Sequence, residues 1–423
     1  MRVMLSCGET SGDLYAGALI EALRAREAGV DVFGLGGDRV KAAGGRLIGD
    51  FHGLAVTGLI EAVRVLPESY AMYRRLVAAA KVERPDVLVL IDYPDFNFRL
   101  MAAVKRLGIP IVYYVSPQLW AWRAGRIQTM KALVECVLPI FPFEESIYRN
   151  EGMDVRFVGH PLVELAVAGH TREQMAQRLD LDAGKPIVAL LPGSRANELH
   201  RIVPVLAAAV PRIASAVMGT QFLVARAPHL PDSYFAPFQG SGAPVRVVAE
   251  AADDVLAASD VVITASGTAT VQAALHGKPM VVVYRLSPLT YKLGKPLVRV
   301  SMFSMVNLVA GQRIVEELIQ DACTPEAVAR ETVELLTNPD RVADMKEQLA
   351  IVREKLGGTG ASGRAADAVL EVAHRADQPT ARNTLNTDTQ RRNRQRSQKT
   401  HSADTPPQKK QQTGPPRPQK QQV

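Results

Sequence analysis

Along residues 259–285, SDVVITASGTATVQAALHGKPMVVVYR, the spacing of apolar and polar positions changes from strand to helix and back. Val261–Thr264 is a continuous β-branched run and predicts a buried strand. Ala265–Thr268 is a turn of small residues. Thr270–His276 takes helical spacing, Gly277 ends it, and Pro279 opens a second strand at Met280–Tyr284. Ser266, Gly267 and Thr268 therefore sit where the carboxyl end of a strand meets a helix N-terminus. Free backbone N–H groups and the helix dipole favour an anion there, by about 0.3–2 kcal/mol per interaction. Small residues in such a turn also serve close packing, so the turn alone does not specify a phosphate.

The same alternation extends over most of the chain. The first half carries predicted strands at Arg2–Ser6, Val30–Gly34, Asp86–Asp92, Pro110–Val115, Cys136–Ile140 and Val155–Val158. Helical segments such as Gly12–Ala28, Phe98–Leu107 and Phe143–Glu151 separate them. The second half carries strands at Ile187–Leu191, Gln221–Ala225, Val245–Val248, Val261–Thr264 and Met280–Tyr284. Alternating strands and helices predict an α/β fold with parallel sheets and sites at the strands' carboxyl ends. The expected organisation is one Rossmann-like domain over residues 1–168 and a second over 185–356, facing each other across a cleft. Helices at Pro325–Leu336 and Arg341–Leu356 lead to the glycine-rich break GGTGASG. That break lets a last helical segment, within 357–376, leave the second domain and dock elsewhere.

Composition narrows the class. The 423 residues, 47% hydrophobic and 5% aromatic, suit an Ala/Val/Leu-rich α/β protein with ample core. No uninterrupted apolar run reaches membrane-spanning length, and the N-terminus enters directly into a strand, so a cytoplasmic protein is expected. Cys7, Cys136 and Cys323 are scattered and suggest neither a disulfide framework nor a metal site. The net charge of +7 is confined to the tail. Residues 377–423 hold ten Lys/Arg and three Asp/Glu, which leaves 40 of each sign in 1–376. That tail, rich in Gln, Pro, Arg and Lys, cannot bury a core and is expected to be disordered. A solvated tail is the first expectation for it, and attraction to anionic lipid or nucleic acid the alternative. Nucleic acid is not expected as a partner.

Four further stretches carry candidate chemistry. Ile187–Leu191 runs into Pro192-Gly-Ser-Arg195, a second turn of the same kind, where Ser194 and Arg195 could meet phosphate oxygens. The strand Val87-Leu-Val-Leu-Ile91 ends in Asp92-Tyr-Pro-Asp95. A carboxylate there, facing a cleft, suits a general base, while one of the two is expected to cap the following helix. The segment Tyr113-Tyr-Val-Ser-Pro-Gln-Leu-Trp-Ala-Trp-Arg123 holds both tryptophans of the chain. The first strand ends in Gly8-Glu-Thr-Ser-Gly-Asp13, which is neither GxGxxG nor a P-loop.

Taken in order, Gly8–Asp13, Ile91–Asn97, Tyr114–Arg123, Leu191–Arg195 and Ala265–Ala269 resemble the lipid-A-disaccharide synthases over roughly residues 1–376. The resemblance implies an inverting glycosyltransferase of the GT-B type. It implies joining of UDP-2,3-diacylglucosamine to 2,3-diacylglucosamine 1-phosphate (lipid X), giving the disaccharide 1-phosphate and UDP, with no cofactor and no metal. It places Asp92 as the general base. Ser194, Arg195, Ser266, Gly267 and Thr268 fall at the diphosphate, Asn307 and Glu317 on the donor side, and Glu9 and Ser11 in the loop facing the cleft. It further implies a peripheral protein of the inner membrane surface and, in some members, a homodimer made by C-terminal exchange.

One departure bears on the site. The family usually carries a glutamate for the ribose hydroxyls where this chain has Gln272, which keeps an acceptor oxygen without the charge. Two stretches, Leu59–Val77 and Leu289–Phe303, mix apolar residues with Arg and Lys and could meet an anionic membrane or pack as ordinary amphipathic helices. The competing readings are a UDP-sugar epimerase or a glycosyltransferase on a soluble acceptor with the same fold, and a non-enzymatic adaptor working through the basic tail.

Overall fold

The protein is described by a computed structural model covering residues 1–52, 59–122, 124–227, 230–249, 251–287 and 302–377; for 59–64, 121, 122, 124, 376 and 377 it describes the backbone alone. The basic tail and most of Leu289–Phe303 lie outside the described residues. Met1–His374 form one unit, and Arg375–Val423 a second of which only the end of the last helix is described.

Two six-stranded parallel sheets carry the fold. The first comprises β1 (Arg2–Cys7), β2 (Asp31–Gly36), β3 (Arg46–Asp50), β4 (Val87–Ile91), β5 (Ile111–Tyr114) and β6 (Cys136–Leu138), in the order β3-β2-β1-β4-β5-β6. The second comprises β7 (Ile187–Leu191), β8 (Gln221–Ala225), β9 (Val245–Val248), β10 (Val261–Ala265), β11 (Met280–Tyr284) and β12 (Glu316–Ile319), in the order β12-β11-β10-β7-β8-β9. The central strands VLVLI and IVALL are buried along their whole length, as a sheet covered by helices on both faces requires. Alternation still sorts the side chains. In β1, Val3, Leu5 and Cys7 enter one core, and Met4 enters the core on the other face.

Both sheets reverse direction at one point. In the first the order turns between β1 and β4, and in the second between β7 and β10. Loops leaving those strand pairs diverge to opposite faces and open a crevice at the carboxyl ends. The segments after β1 and β4 hold Glu9 and Asp92, and those after β7 and β10 hold Arg195 and Ser266–Thr268.

Local differences from the sequence reading have identifiable causes. β3 and β12 are short edge strands with weak apolar runs. Val155 makes only an isolated bridge to Val137. Neither Asp92 nor Asp95 caps the helix Pro94–Lys105; its N-cap is Tyr93, and Asp95 pairs instead with Arg126 at 2.9 Å. Within Leu59–Glu83, Met72, Leu76 and Ala80 form the core-facing stripe, so of the two readings left open for this stretch Leu76 follows the core-packed one. Leu66 and Tyr70, one turn apart, are 47% and 60% exposed. The apolar helix Ala196–Ala216 is long enough to span a bilayer, but Leu199, Ile202, Val203, Leu206, Val210 and Ile213 seat it in the core.

The last helix, Ala361–Asp377, returns to the first half of its own chain. Asp367 pairs with Arg26, Glu371 with Arg156, and Arg364 Nε donates to the Val158 carbonyl at 2.9 Å. Glu164 fixes its start, accepting from the amides of Gly360 (2.6 Å) and Ser362 (3.1 Å) and from the Ser362 hydroxyl (2.7 Å). The carboxylate thus satisfies N-terminal amides that the helix cannot, and it lies at the positive end of the helix dipole. Glu164→Ala is expected to cost about 1–2 kcal/mol and to speed proteolysis in Gly357–Gly360. Unchanged Tm and cleavage rate would contradict this role.

Candidate active site

Asp92 stands at the end of β4 in a left-handed conformation, φ 45°, followed by Tyr93 at φ 48°. Non-glycine residues hold such angles only when their surroundings fix them. Here the Asp92 carbonyl accepts from Asn97 Nδ2 and from the Tyr113 hydroxyl, each at 2.8 Å. Its amide donates to the Val115 carbonyl at 3.2 Å. Ser6 Oγ donates to Asn97 Oδ1 at 2.7 Å and so orients the amide that grips Asp92. With its backbone held, the carboxyl group lies on the cleft floor. Loss of hydration there, reinforced by the Glu9 charge and partly offset by Arg195, raises its pKa to about 7.

Glu9 is the N-cap position of the helix Thr10–Arg26, and Ser11 lies in that helix's first turn. The preceding Gly8 is required by contact, because a Cβ there would run into the Tyr93 ring. Across the cleft, Arg195 Nη2 donates to Glu9 Oε2 at 2.6 Å and Nη1 to Glu198 Oε1 at 2.9 Å. Burial opposes its charge, and the two carboxylates more than restore it, so its pKa is raised. Gly193, at φ 119°, allows this turn; a Cβ there would fall 2.6 Å from Glu198 Oε2. Arg195 is therefore not a free fork. An anion arriving at Ser194–Arg195 competes with Glu9 for the same guanidinium.

The second turn faces the same cleft. Gly267 precedes the helix Thr268–Leu275, and a Cβ on it would meet nothing within 4 Å. The backbone before the helix's unpaired first amides is thus open to a ligand. Ser266 Oγ donates to the Phe303 carbonyl at 2.9 Å. Thr268 lies beside the buried Tyr15 phenol, whose pKa burial and the Asp92 charge raise and the Thr268 hydroxyl lowers in part. Tyr15 and Thr268 come from opposite halves, so the two sites share a wall.

Asn307 and Glu317 lie behind this wall rather than on its surface. Glu317 accepts from the amides of Phe303 (2.9 Å) and Ser304 (2.8 Å) and from Asn307 Nδ2 (2.8 Å). Asn307 Oδ1 accepts from the amides of Ile314 and Val315, and its Nδ2 also donates to the Val315 carbonyl. Both side chains are buried with their polar atoms engaged in backbone. In this arrangement they act on the donor-side wall from behind: they hold Phe303, and Phe303 holds Ser266.

Sequence reasoning passed over several groups. Asn97 closed the Ile91–Asn97 motif and Tyr113 opened the Tyr113–Arg123 segment, but neither carried a sign that it grips the Asp92 carbonyl. Glu198 has capping-box spacing from Arg195, which hides its role as a charge partner. Asp253 gave no signal. Gln272 Nε2 lies 3.3 Å from both Asp253 oxygens, and His276 Nε2 lies 2.9 Å from Oδ1. Among the described residues no group of three or more His, Cys, Asp or Glu side chains could hold a metal ion.

The Asp253 contact changes what a glutamate at 272 would do. It would set a second carboxylate against the first, with no amide between them. Gln272→Glu is expected to lower Tm and leave UDP affinity no tighter, and adding Asp253→Asn is expected to restore the Tm. Calorimetry showing that Gln272→Glu alone tightens UDP with an unchanged Tm would rule this out.

Comparison with known proteins identifies the family and the fold. A family profile described as Lipid-A-disaccharide synthetase matches residues 3–372. The chain is 41% identical over 372 residues to a lipid-A-disaccharide synthase of Myxococcus xanthus, covering 88% of this chain and 97% of the relative. It is 43% identical over 384 residues to one of Koribacter versatilis, covering 89% and 100%. Among solved structures, the UDP-GlcNAc 2-epimerase of Neisseria meningitidis bound to UDP-GlcNAc superposes with a TM-score of 0.65 at 13% identity, over 88% of this chain and all of that one. MurG of Acinetobacter baumannii gives 0.53 at 14% identity, over 88% and 99%. At such identities these structures speak to the two-domain fold alone. The sequence relationship goes further: the chain belongs to the lipid-A-disaccharide synthase family.

Proposed function

We propose that this protein transfers a 2,3-diacylglucosamine unit from its UDP derivative to the 6-hydroxyl of 2,3-diacylglucosamine 1-phosphate, with inversion and release of UDP. Family membership supports the substrates. The observation that carries the mechanism is Asp92: a carboxylate clamped at the cleft floor, with a pKa near 7, opposite two anion-suited turns. A base poised there takes the acceptor's hydroxyl proton efficiently at neutral pH. The oxygen attacks the anomeric carbon as its bond to the diphosphate breaks, and charge grows on the leaving group. The open turn at Ser266–Thr268, the following helix N-terminus and Arg195 are arranged to stabilise that charge. An epimerase reading rests on fold likeness alone and is not favoured by the sequence relationship.

Substrates with two acyl chains have to be reached from a bilayer. We assign Leu66 and Tyr70, with the exposed Arg74 one turn on, as part of a contact with the cytoplasmic surface of the inner membrane. Flotation with anionic vesicles is expected to drop for Leu66→Glu/Tyr70→Glu while UDP binding persists; undiminished flotation would remove this surface from the proposal.

Incubation with both substrates is expected to yield the disaccharide 1-phosphate and UDP. Asp92→Asn is expected to lower turnover by about 10²–10⁴-fold, and wild-type kcat/KM to rise with pH through an apparent pKa near 7. No product from folded protein would overturn the reading. The same substitution tests the raised pKa through stability. Between about pH 4 and 7 the folded protein keeps a proton at Asp92 that the unfolded chain has released, so the wild type loses stability as pH rises. Asp92→Asn should therefore match wild-type Tm below about pH 4 and exceed it above about pH 7.

A further inference from the structure

Val115 follows β5 at φ 58°, an angle that a β-branched residue adopts only under constraint. Its carbonyl accepts the Asp92 amide at 3.2 Å, and its own amide donates to the Leu138 carbonyl at 3.1 Å. The loop that begins here therefore sets the backbone of Asp92. One side chain fastens that loop from beneath. Glu144, in the first turn of the helix Pro142–Asn150, is 0% exposed. Its Oε2 accepts from Ser116 Oγ at 2.8 Å, and its Oε1 accepts from Trp120 Nε1 at 3.1 Å. One turn along the same helix, the Tyr148 hydroxyl donates to the Pro117 carbonyl at 2.8 Å. Phe143 meets the Trp120 ring edge-on, with centroids 5.0 Å apart. Gln118, between these anchors, reaches Met305 of the second half at 3.8 Å.

We propose that Glu144 is a positioning residue of the reaction: through Ser116 and Trp120 it holds the loop whose Val115 carbonyl fixes Asp92 and whose Gln118 spans the cleft. A buried carboxylate is a costly choice for a purely structural pin, because an apolar side chain would fill the same space without losing hydration. What the carboxylate adds is two acceptors aimed at two points of one loop. The pKa of Glu144 is raised to about 8, chiefly by burial and also by the Asp92 charge, although the Trp120 and Ser116 hydrogen bonds oppose the rise. Tyr148, the phenol facing it on its own helix, is raised by burial and by Glu144 itself. Those hydrogen bonds favour the form that accepts from both donors.

The activity arm of the test rests on the proposed transfer reaction. Glu144→Ala is expected to lower kcat by about 10–100-fold, as a misplaced base does, with the Kd for UDP within about two-fold of wild type. Glu144→Gln, which keeps an acceptor for Trp120, is expected to recover kcat to within about three-fold. A second arm needs no substrate. In a Trp122→Phe background Trp120 is the remaining indole, and Glu144→Ala is expected to raise its acrylamide quenching at least about two-fold as the loop lets go, with Glu144→Gln close to the parent. Wild-type kcat in Glu144→Ala, an equal loss of UDP binding, or unchanged quenching would each overturn the proposal. Should Glu144→Ala fail to fold, Ser116→Ala/Trp120→Phe removes the two donors instead. The same selective loss of kcat in that variant supports the proposal, and wild-type kcat overturns it.

Discussion

A carboxylate set on the floor of a cleft loses hydration, and the rest of this site is arranged around that loss. Asp92 keeps a proton up to about pH 7 because water is displaced and Glu9 adds like charge, with Arg195 working the other way. A more exposed aspartate would ionise near pH 4 and be a weak base. A more isolated one would stay protonated. The position between those limits depends on a backbone that cannot swing the side chain into solvent. That is the task of Asn97, Tyr113 and the Val115 carbonyl.

Arg195 links this constraint to the opposite half. Its two carboxylate partners come from opposite halves of the chain, so the guanidinium bridges the cleft electrostatically while it moderates Asp92. A diphosphate at the facing turns would draw on the same charge. In the proposed reaction, donor binding and the ionisation of Asp92 would therefore be coupled through one side chain. The coupling follows from Coulomb interactions over a few ångströms between partly buried groups.

Support for these groups lies one layer deeper. Glu317 and Asn307 pin Phe303, which pins Ser266, and Glu144 pins the loop beside Asp92. In each case a buried polar side chain hydrogen-bonds backbone or loop donors and so specifies one conformation. Gln272 and Asp253 show the same economy on a smaller scale. The amide that replaces a carboxylate at 272 is the partner that lets Asp253 sit beside it.

By itself the sequence determined the parallel α/β class, the two small-residue turns, the acid at the end of β4 and the neutrality of everything before the tail. Those features depend on periodicity and turn chemistry within a few residues, and they are legible wherever the local signal is strong. It missed β3 and β12, whose edge positions need little apolar run, and it expected one of Asp92 and Asp95 to cap the following helix, where Tyr93 is the N-cap. It left open whether the stretch holding Leu76 meets a membrane or packs on the core, and it carried no sign that Asn307 and Glu317 bond to backbone beneath the cleft. Only the tertiary structure decided which strand ends are neighbours, because strand order depends on crossovers between segments far apart in the chain. Once that order places β1 beside β4 and β7 beside β10, Glu9, Asp92, Arg195 and Gly267 share one crevice. Burial, and with it the pKa of Asp92 and the role of Glu144, follows from that assembly, since no local stretch of chain can exclude water from its own side chains.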